Sequence, residues 1–175
     1  MEGKLLQKKK SYCYFIREAQ LNNVSPRIDF IIENFDKQKH QSIKKMRNER
    51  VFDDFVVISD SQDIIVACLN GDVIGHLCLK PMGDKSQGRI WQHKYYIHYG
   101  YVSPNYRGNN IYPAMLNEMC RRFFRQFSNS ELYISTGEKN IAAQNSFNKI
   151  GFVKYAELYE IYFHGHRLFS YTLNK

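Results

Sequence analysis

Residues 101–116 read YVSPNYRGNNIYPAML, and the change of element inside this stretch sets the expectations for the rest of the chain. Upstream, KYYIHYGYV (94–102) is dense in aromatic and β-branched side chains and reads as a strand. Downstream, a helix is expected from about Ile111 to Phe127, with Pro113 in its first turn, where a missing N–H is tolerated. Between them lie Ser103-Pro104 and then Asn105-Tyr106-Arg107-Gly108-Asn109-Asn110, a tight turn that ends on an exposed helix N-terminus. First-turn N–H groups have no acceptor within their own helix, and with the helix dipole they favour a phosphate. Gly108 lets the backbone approach a ligand, and Asn109 and Asn110 belong to the few non-glycine types that tolerate left-handed conformations. Asn110 could equally be a plain N-cap, so the turn alone leaves open whether it binds anything.

Working outward, SYCYFIREA (11–19) reads as a first strand after a loose basic lead over residues 1–10. A helical region is expected from Ser25-Pro26 through RIDFIIENF and on towards Phe55, with Ile28, Ile31, Ile32 and Phe35 at helical spacing. In IIVACLNGDVIGHLCLKP two apolar runs flank Asn70-Gly71-Asp72, a hairpin turn. ELYIST (131–136) is another strand, IAAQNSFNKI (141–150) a short helix closed by Gly151, and the tail from Phe152 to Leu173 two more strands turning near His164-Gly165-His166. No internal repeat or low-complexity linker interrupts this order, which is mixed α/β with mainly antiparallel neighbours, in one domain over 1–175.

Composition narrows the function classes. A chain of 175 residues buries roughly 70% of its unfolded surface in one core. The opening MEGKLLQKKK lacks a signal peptide's apolar run and no stretch approaches the ~18 apolar residues of a membrane span, so a cytoplasmic location away from membranes is expected. Cys13, Cys68, Cys78 and Cys120 show no paired C-x-x-C spacing; buried reduced thiols are expected, and neither a disulfide framework nor a metal site. The formal charge of +8 gathers at Lys4, Lys8, Lys9 and Lys10 and along Lys37, Lys39, Lys44, Lys45, Arg47 and Arg50. No helix-turn-helix, zinc-finger or RNP-like pattern accompanies it, so no specific nucleic acid is expected, while a polyanionic cofactor fits the charge.

A second motif lies roughly 40 residues downstream of the first. NIAAQNSFNKIGF (140–152) places Asn140, Ala143, Phe147, Lys149 and Gly151-Phe152 in the spacing N-x-x-A-x-x-x-[YF]-x-K-x-G-F. With VSPNYRGNNIY upstream, it resembles the GNAT superfamily of acyl-CoA-dependent N-acyltransferases, which pairs a V-x-P-x-[YF]-R-G-x-G-[IL]-[GA] loop with such a helix. The order of elements agrees as well, including an R-x-A (Arg17-Glu18-Ala19) on the first strand. The resemblance implies a GNAT fold: an α/β architecture with a central mixed, mostly antiparallel sheet of six to seven strands, flanking helices, and a splay between the fourth and fifth strands. It implies acetyl-CoA as co-substrate and a small-molecule primary amine, such as an amino sugar or nucleotide sugar, as acceptor.

Carried over by position, the resemblance implies that backbone groups of Tyr101 and Val102 pair with pantetheine and that one N–H serves the thioester oxygen. N–H groups from Arg107 through Gly108, Asn109, Asn110 and Ile111 to Tyr112 would hold the pyrophosphate, and Asn140 would hydrogen-bond the cofactor or cap its helix. Catalysis requires a base for the amine. Strand alternation counted back from Val102 puts His98 and Tyr96 on Val102's face, and matching positions carry bases in several GNAT enzymes. His98 has an ordinary pKa near 6.5, suited to that work. Three positions depart from the family pattern: Asn110 replaces a usual glycine, Tyr112 brings bulk beside the pyrophosphate, and Phe147 stands where a tyrosine often protonates the departing thiolate. Ser146, a nearby tyrosine or water would then supply that proton. Two other readings are an acyl-CoA-binding protein with weak or no turnover and a basic nucleic-acid-interacting domain. An exposed final strand could also pair in a homodimer.

Overall fold

Asn70 and Gly71 both have positive φ, 51° and 86°, the two-residue turn whose twist matches that of its flanking strands. The turn joins β3 (Asp63–Leu69) to β4 (Asp72–Asp84), as the sequence leads one to expect. The computed structural model describes residues 7–20, 24–36, 39, 43, 63–84, 89–163 and 166–173. Its other strands are β1 (Gln7–Ile16), β2 (Ile31–Asn34), β5 (Arg89–Val102), β6 (Glu131–Gly137), β7 (Val153–Phe163) and β8 (His166–Leu173). They form one sheet in the order β2-β3-β4-β5-β6-β1-β7-β8, in which the β5–β6 pair alone is parallel.

The sheet is mixed and mostly antiparallel as expected, with eight strands instead of six or seven. The added strand is β2, where helix was expected. Ile31 to Asn34 pair with the edge of β3, from Ile31↔Cys68 to Asn34↔Ile65. Over four residues the helical and extended periods are indistinguishable, and the open edge of β3 supplies the backbone partners that decide between them. Lys39 and Ile43 are helical, while the remainder of the expected helix towards Phe55 lies outside the described residues. A second correction concerns the N-terminus: Gln7 to Lys10 are part of β1, paired with Tyr159 to Tyr162 of β7, and not of a loose lead. Lys10 is held there by Glu157, its Nζ 2.9 Å from the carboxylate. Lys39, from the other basic run, is likewise paired, with Glu33 and Asp36.

Helix α1 (Ile111–Gln126) buries Ile111, Met115, Leu116, Met119, Cys120 and Phe123, a helical stripe that packs on β3, β4 and β5. Glu118 is gripped by Arg122 Nε at 2.7 Å and Arg121 Nη2 at 2.5 Å, one helical turn away. Helix α2 (Ile141–Ile150) has defined chemistry at both ends. Asn140 Oδ1 accepts from the N–H of Ala143 at 3.2 Å, an N-cap. At the other end Gly151 has φ 103°, its N–H donates to Asn148 O, and the N–H of Phe152 donates to Phe147 O at 2.9 Å. This is a Schellman cap, completed by contact between the Phe147 and Phe152 rings, 6.1 Å apart. The F-x-x-x-G-F part of the second motif is therefore a helix stop in physical terms. All four cysteines are buried and free. No described helix is long and apolar enough to cross a membrane.

Candidate active site

After an irregular start, with a register shift against Pro81–Gly83 and His93 at φ 60°, β5 runs regularly from Lys94 and then changes face. Tyr95 and Ile97 point to the α1 side: the Tyr95 ring lies 5.0 Å from that of Phe123, and Ile97 is in the core. Tyr96 and His98 point to the opposite side, paired with Lys80 and Cys78 of β4. Next, Tyr101 pairs with His76 and Val102 with Gly75, so residues 99 and 100 together oppose Leu77. That bulge moves the strand by one residue and inverts the alternation beyond it. Val102 consequently joins the core under α1, and Tyr101, stacked on His76 with ring centroids 6.2 Å apart, shares the face of Tyr96 and His98. The expectation that Val102 lies on the face of His98 is corrected for this reason.

Beside the bulge the sheet opens. β5 and β6 pair only at Lys94↔Glu131, Tyr95↔Leu132 and Tyr96↔Tyr133, and beyond Tyr96 no described residue of β5 pairs with β6. The root of the gap is fastened by charge and hydroxyl contacts. Glu131 accepts from the Tyr133 hydroxyl and from Arg17 Nε at 3.0 Å, and Lys94 Nζ lies 3.9 Å away. The Tyr133 hydrogen bond, with Arg17 and Lys94 adding to it against partial burial, holds the Glu131 carboxyl below its ordinary range. Just above, Tyr96 Oη and Ser135 Oγ meet at 2.7 Å across the start of the opening.

The gap runs up to the turn before α1. A 3-10 turn (Pro104–Tyr106) follows Ser103, Gly108 has φ 81°, and Asn110, at the N-cap position, has φ 61°. Asn110 thus takes the left-handed conformation that the family pattern assigns to glycine, which asparagine bears better than other side chains. It makes no side-chain cap; its Nδ2 donates to Ser25 O at 3.1 Å. Asn109 Nδ2 donates to Tyr106 O at 2.9 Å, and its carbonyl accepts from the N–H of Arg27 at 3.0 Å. Both asparagines therefore spend their side chains on shaping and strapping the loop, leaving its inner surface to the backbone. The N–H groups of residues 108–112 donate to no acceptor among the described residues, and a Cβ on Gly108 would meet nothing within 4 Å. Arg107 lies across the end of β5, its Nε donating to Val102 O at 3.0 Å and its guanidinium 5.4 Å from the centre of the Tyr101 ring.

These features line one cleft of about 990 Å³. It brings together Tyr96, His98, Tyr101, Val102, Arg107, Gly108, Asn110, Ile111, Tyr112, Asn140, Ser146 and Phe147; of the expected site residues, Asn109 is the exception. His98 is buried on the strand face. Ser146 lies at the rim with its hydroxyl turned back to Ala142 O at 2.9 Å. Phe147 is buried, edge-on to Tyr14. Lys149, a position of the second motif, also lines the cleft, as do Lys80, Ser135 and Thr136, which were not singled out from sequence. Ser135 lies one pleat along from Tyr133, the parallel partner of Tyr96, a register that the sequence does not set.

Unspent N–H groups beside Gly108, the opening between β5 and β6 and the cations Arg107, Lys149 and Lys80 form a set suited to an elongated anion with amide groups in its arm. The sequence pattern of the Acetyltransferase (GNAT) family matches residues 29–152, most of the chain. The chain belongs to the GNAT family. No curated protein matches it in sequence. Solved structures that share the GNAT fold with it include a GCN5-related N-acetyltransferase from Sphaerobacter thermophilus, with 16% identity and a TM-score of 0.66 over 92% of this chain and 51% of that one. A protein from Drosophila follows at 11% identity and a TM-score of 0.64, over 93% and 53% of the two chains. The aminoglycoside acetyltransferase AAC(6')-Iy, in complex with a CoA–acetylneamine bisubstrate analogue, matches at 16% identity and a TM-score of 0.57, over 72% of this chain and 92% of that one. The present GNAT chain spans about half the length of the Sphaerobacter and Drosophila proteins.

Proposed function

We propose that this chain is an acetyl-CoA-dependent N-acetyltransferase acting on a primary amine of a small molecule. The observation that carries the reading is the opening between β5 and β6, which leads from Tyr96 to the unspent N–H groups at 108–112. Acetyl-CoA supplies an activated acetyl group. The pyrophosphate would rest on the N–H groups of Gly108 to Tyr112 and the arm along β5 at Gly100–Val102, on the side that faces the opening. Because Val102 O already accepts from Arg107 Nε, the arm would share that carbonyl or rely on Tyr101. Arg107 in this way ties the phosphate loop to the arm's strand.

The acceptor amine would approach from the face that carries Tyr96, His98 and Tyr101. His98 takes the amine's proton, directly or through water, as nitrogen bonds to the acetyl carbon. Tyr96, bonded to Ser135, bounds the end of the opening and positions the amine. An amino sugar or nucleotide sugar fits this reading. The fold of AAC(6')-Iy, which binds an analogue joining CoA to an acetylated amino sugar, supports that class as one that this architecture can hold.

The test is release of free thiol from acetyl-CoA with a panel of amino sugars, nucleotide amino sugars, polyamines and peptides. Turnover with an amino sugar and a His98→Ala variant with an altered pH–rate profile are expected. Binding of acetyl-CoA without turnover on any amine would favour the second reading, a binding protein, which Phe147 at the usual place of a proton donor motivates.

A further inference from the structure

When nitrogen acylation expels a thiolate, that sulfur needs a proton, and few groups in the cleft have one to give. Ser146 is committed to Ala142 O and lies at the rim. Tyr96 is committed to Ser135. Phe147 has no dissociable proton. Tyr112 remains. It is the second residue of α1, so its side chain leaves the phosphate turn and runs under β5. Its ring fills the space that glycine leaves at position 100: a Cβ built there would lie 2.7 Å from Cε2 and 2.9 Å from the hydroxyl oxygen. Its centroid is 6.4 Å from that of Phe147. The hydroxyl has no hydrogen-bond partner among the described residues, although Tyr112 lines the cleft and a phenol ordinarily finds a partner when it leaves solvent.

Resting on the transferase reading above, we propose that Tyr112 is the general acid of the reaction, delivering its phenolic proton to the departing CoA sulfur from beneath the Gly100 bulge. The amine nitrogen forms its bond to the acetyl carbon, the carbon–sulfur bond breaks with its electron pair on sulfur, and sulfur takes the Tyr112 proton. The amine's surplus proton passes through His98 and water, and the Tyr112 phenolate recovers one from solvent, so that amide and CoA thiol leave with the tyrosine restored. The groups facing this hydroxyl are consistent with an acid. Leu77 of β4 and Phe147 of α2 are apolar; burial, with the titratable Tyr96 of β5 adding to it, pushes the Tyr112 phenol above its ordinary value. It therefore holds its proton around neutral pH. The cations Lys80, Arg107 and Lys149 line the same cleft, where they favour the outgoing thiolate. The substitution of a bulky tyrosine for a usual small residue in the phosphate turn and the loss of a tyrosine at Phe147 become one compensated change.

The test needs no acceptor. CoA bound to the protein is titrated by its ultraviolet thiolate absorbance, comparing wild type with Tyr112→Phe, which keeps the ring. A phenol donating to the thiolate lowers the bound thiol's pKa; its loss raises that pKa by roughly one to two pH units. Turnover with the best amine falls roughly 10²-fold or more in kcat, with KM for acetyl-CoA little changed. Gly100→Ala, which displaces the ring while leaving the hydroxyl in the chain, raises the thiol pKa in the same direction. CoA that binds both proteins with the same thiol pKa overturns the assignment of Tyr112 and leaves the transferase reading standing. Wild-type protein that binds no CoA removes both.

Discussion

Replacing Gly100 by alanine probes the most crowded point of the site. Its φ is not in the left-handed region, so alanine fits the backbone, and the narrower unfolded ensemble stabilises the variant by about 0.4–1 kcal/mol. Against this, the new methyl would stand 2.7 Å from Tyr112 Cε2, 2.8 Å from Leu77 Cδ2 and 2.9 Å from Tyr112 Oη. All three are closer than carbon atoms pack, and overfilling of this kind costs about 1–3 kcal/mol. The net expectation is a loss of about 1–2 kcal/mol, which in a chain of this length lowers Tm by about 2–8 °C. Thermal unfolding followed by circular dichroism measures it. Repeating the substitution in a Tyr112→Ala background removes two of the three contacts, so the two changes are non-additive by about 1 kcal/mol. A Gly100→Ala protein as stable as wild type, or additive with Tyr112→Ala, would refute the placement of the Tyr112 ring under the bulge.

Two further outcomes follow from other parts of the fold. Asn140→Ala removes the acceptor for the Ala143 N–H and costs about 1 kcal/mol; a thermal shift smaller in Asn140→Asp than in Asn140→Ala separates capping from a steric effect, and equal shifts argue against the cap. For pH, Glu118 and Glu131 are both held below their ordinary range. Burial pushes Glu118 up, but Arg122 and Arg121 outweigh it, while at Glu131 the Tyr133 hydroxyl leads. A lowered folded pKa means that the unfolded chain binds more protons, so this stabilisation is present above roughly pH 4 and disappears as pH falls through the lowered values. Urea titrations should show a shallower acid loss in a Glu118→Gln, Glu131→Gln double variant, and an identical acid profile would count against both networks.

Much of the site was legible because its chemistry is local. The Asn70-Gly71 hairpin, the turn at Gly108 and the Asn140 and Gly151 ends of α2 are each set by residues within a few positions of one another, and each stands where the sequence puts it. What escaped depends on partners distant in the chain. The insertion of β1 between β6 and β7 arises from pairings of residues over a hundred positions apart, which strand periodicity does not encode. The bulge at residues 99 and 100 is a mismatch of register with β4, so counting along β5 alone puts Val102 on the wrong face. Tyr112 appeared from sequence as bulk beside a phosphate; only the vacancy at Gly100, twelve residues away and on another element, decides where its ring goes.

In the proposed reaction acetyl-CoA lies in the opening between β5 and β6. A crystal structure of the protein soaked with acetyl-CoA tests it most directly. Pyrophosphate is expected on the N–H groups of residues 108–112, the pantetheine arm beside Gly100–Val102, and the thioester sulfur within hydrogen-bond reach of Tyr112 and on the side of the sheet opening that His98 faces. Density for the cofactor anywhere else, or a fully paired β5–β6 edge with none, would contradict it.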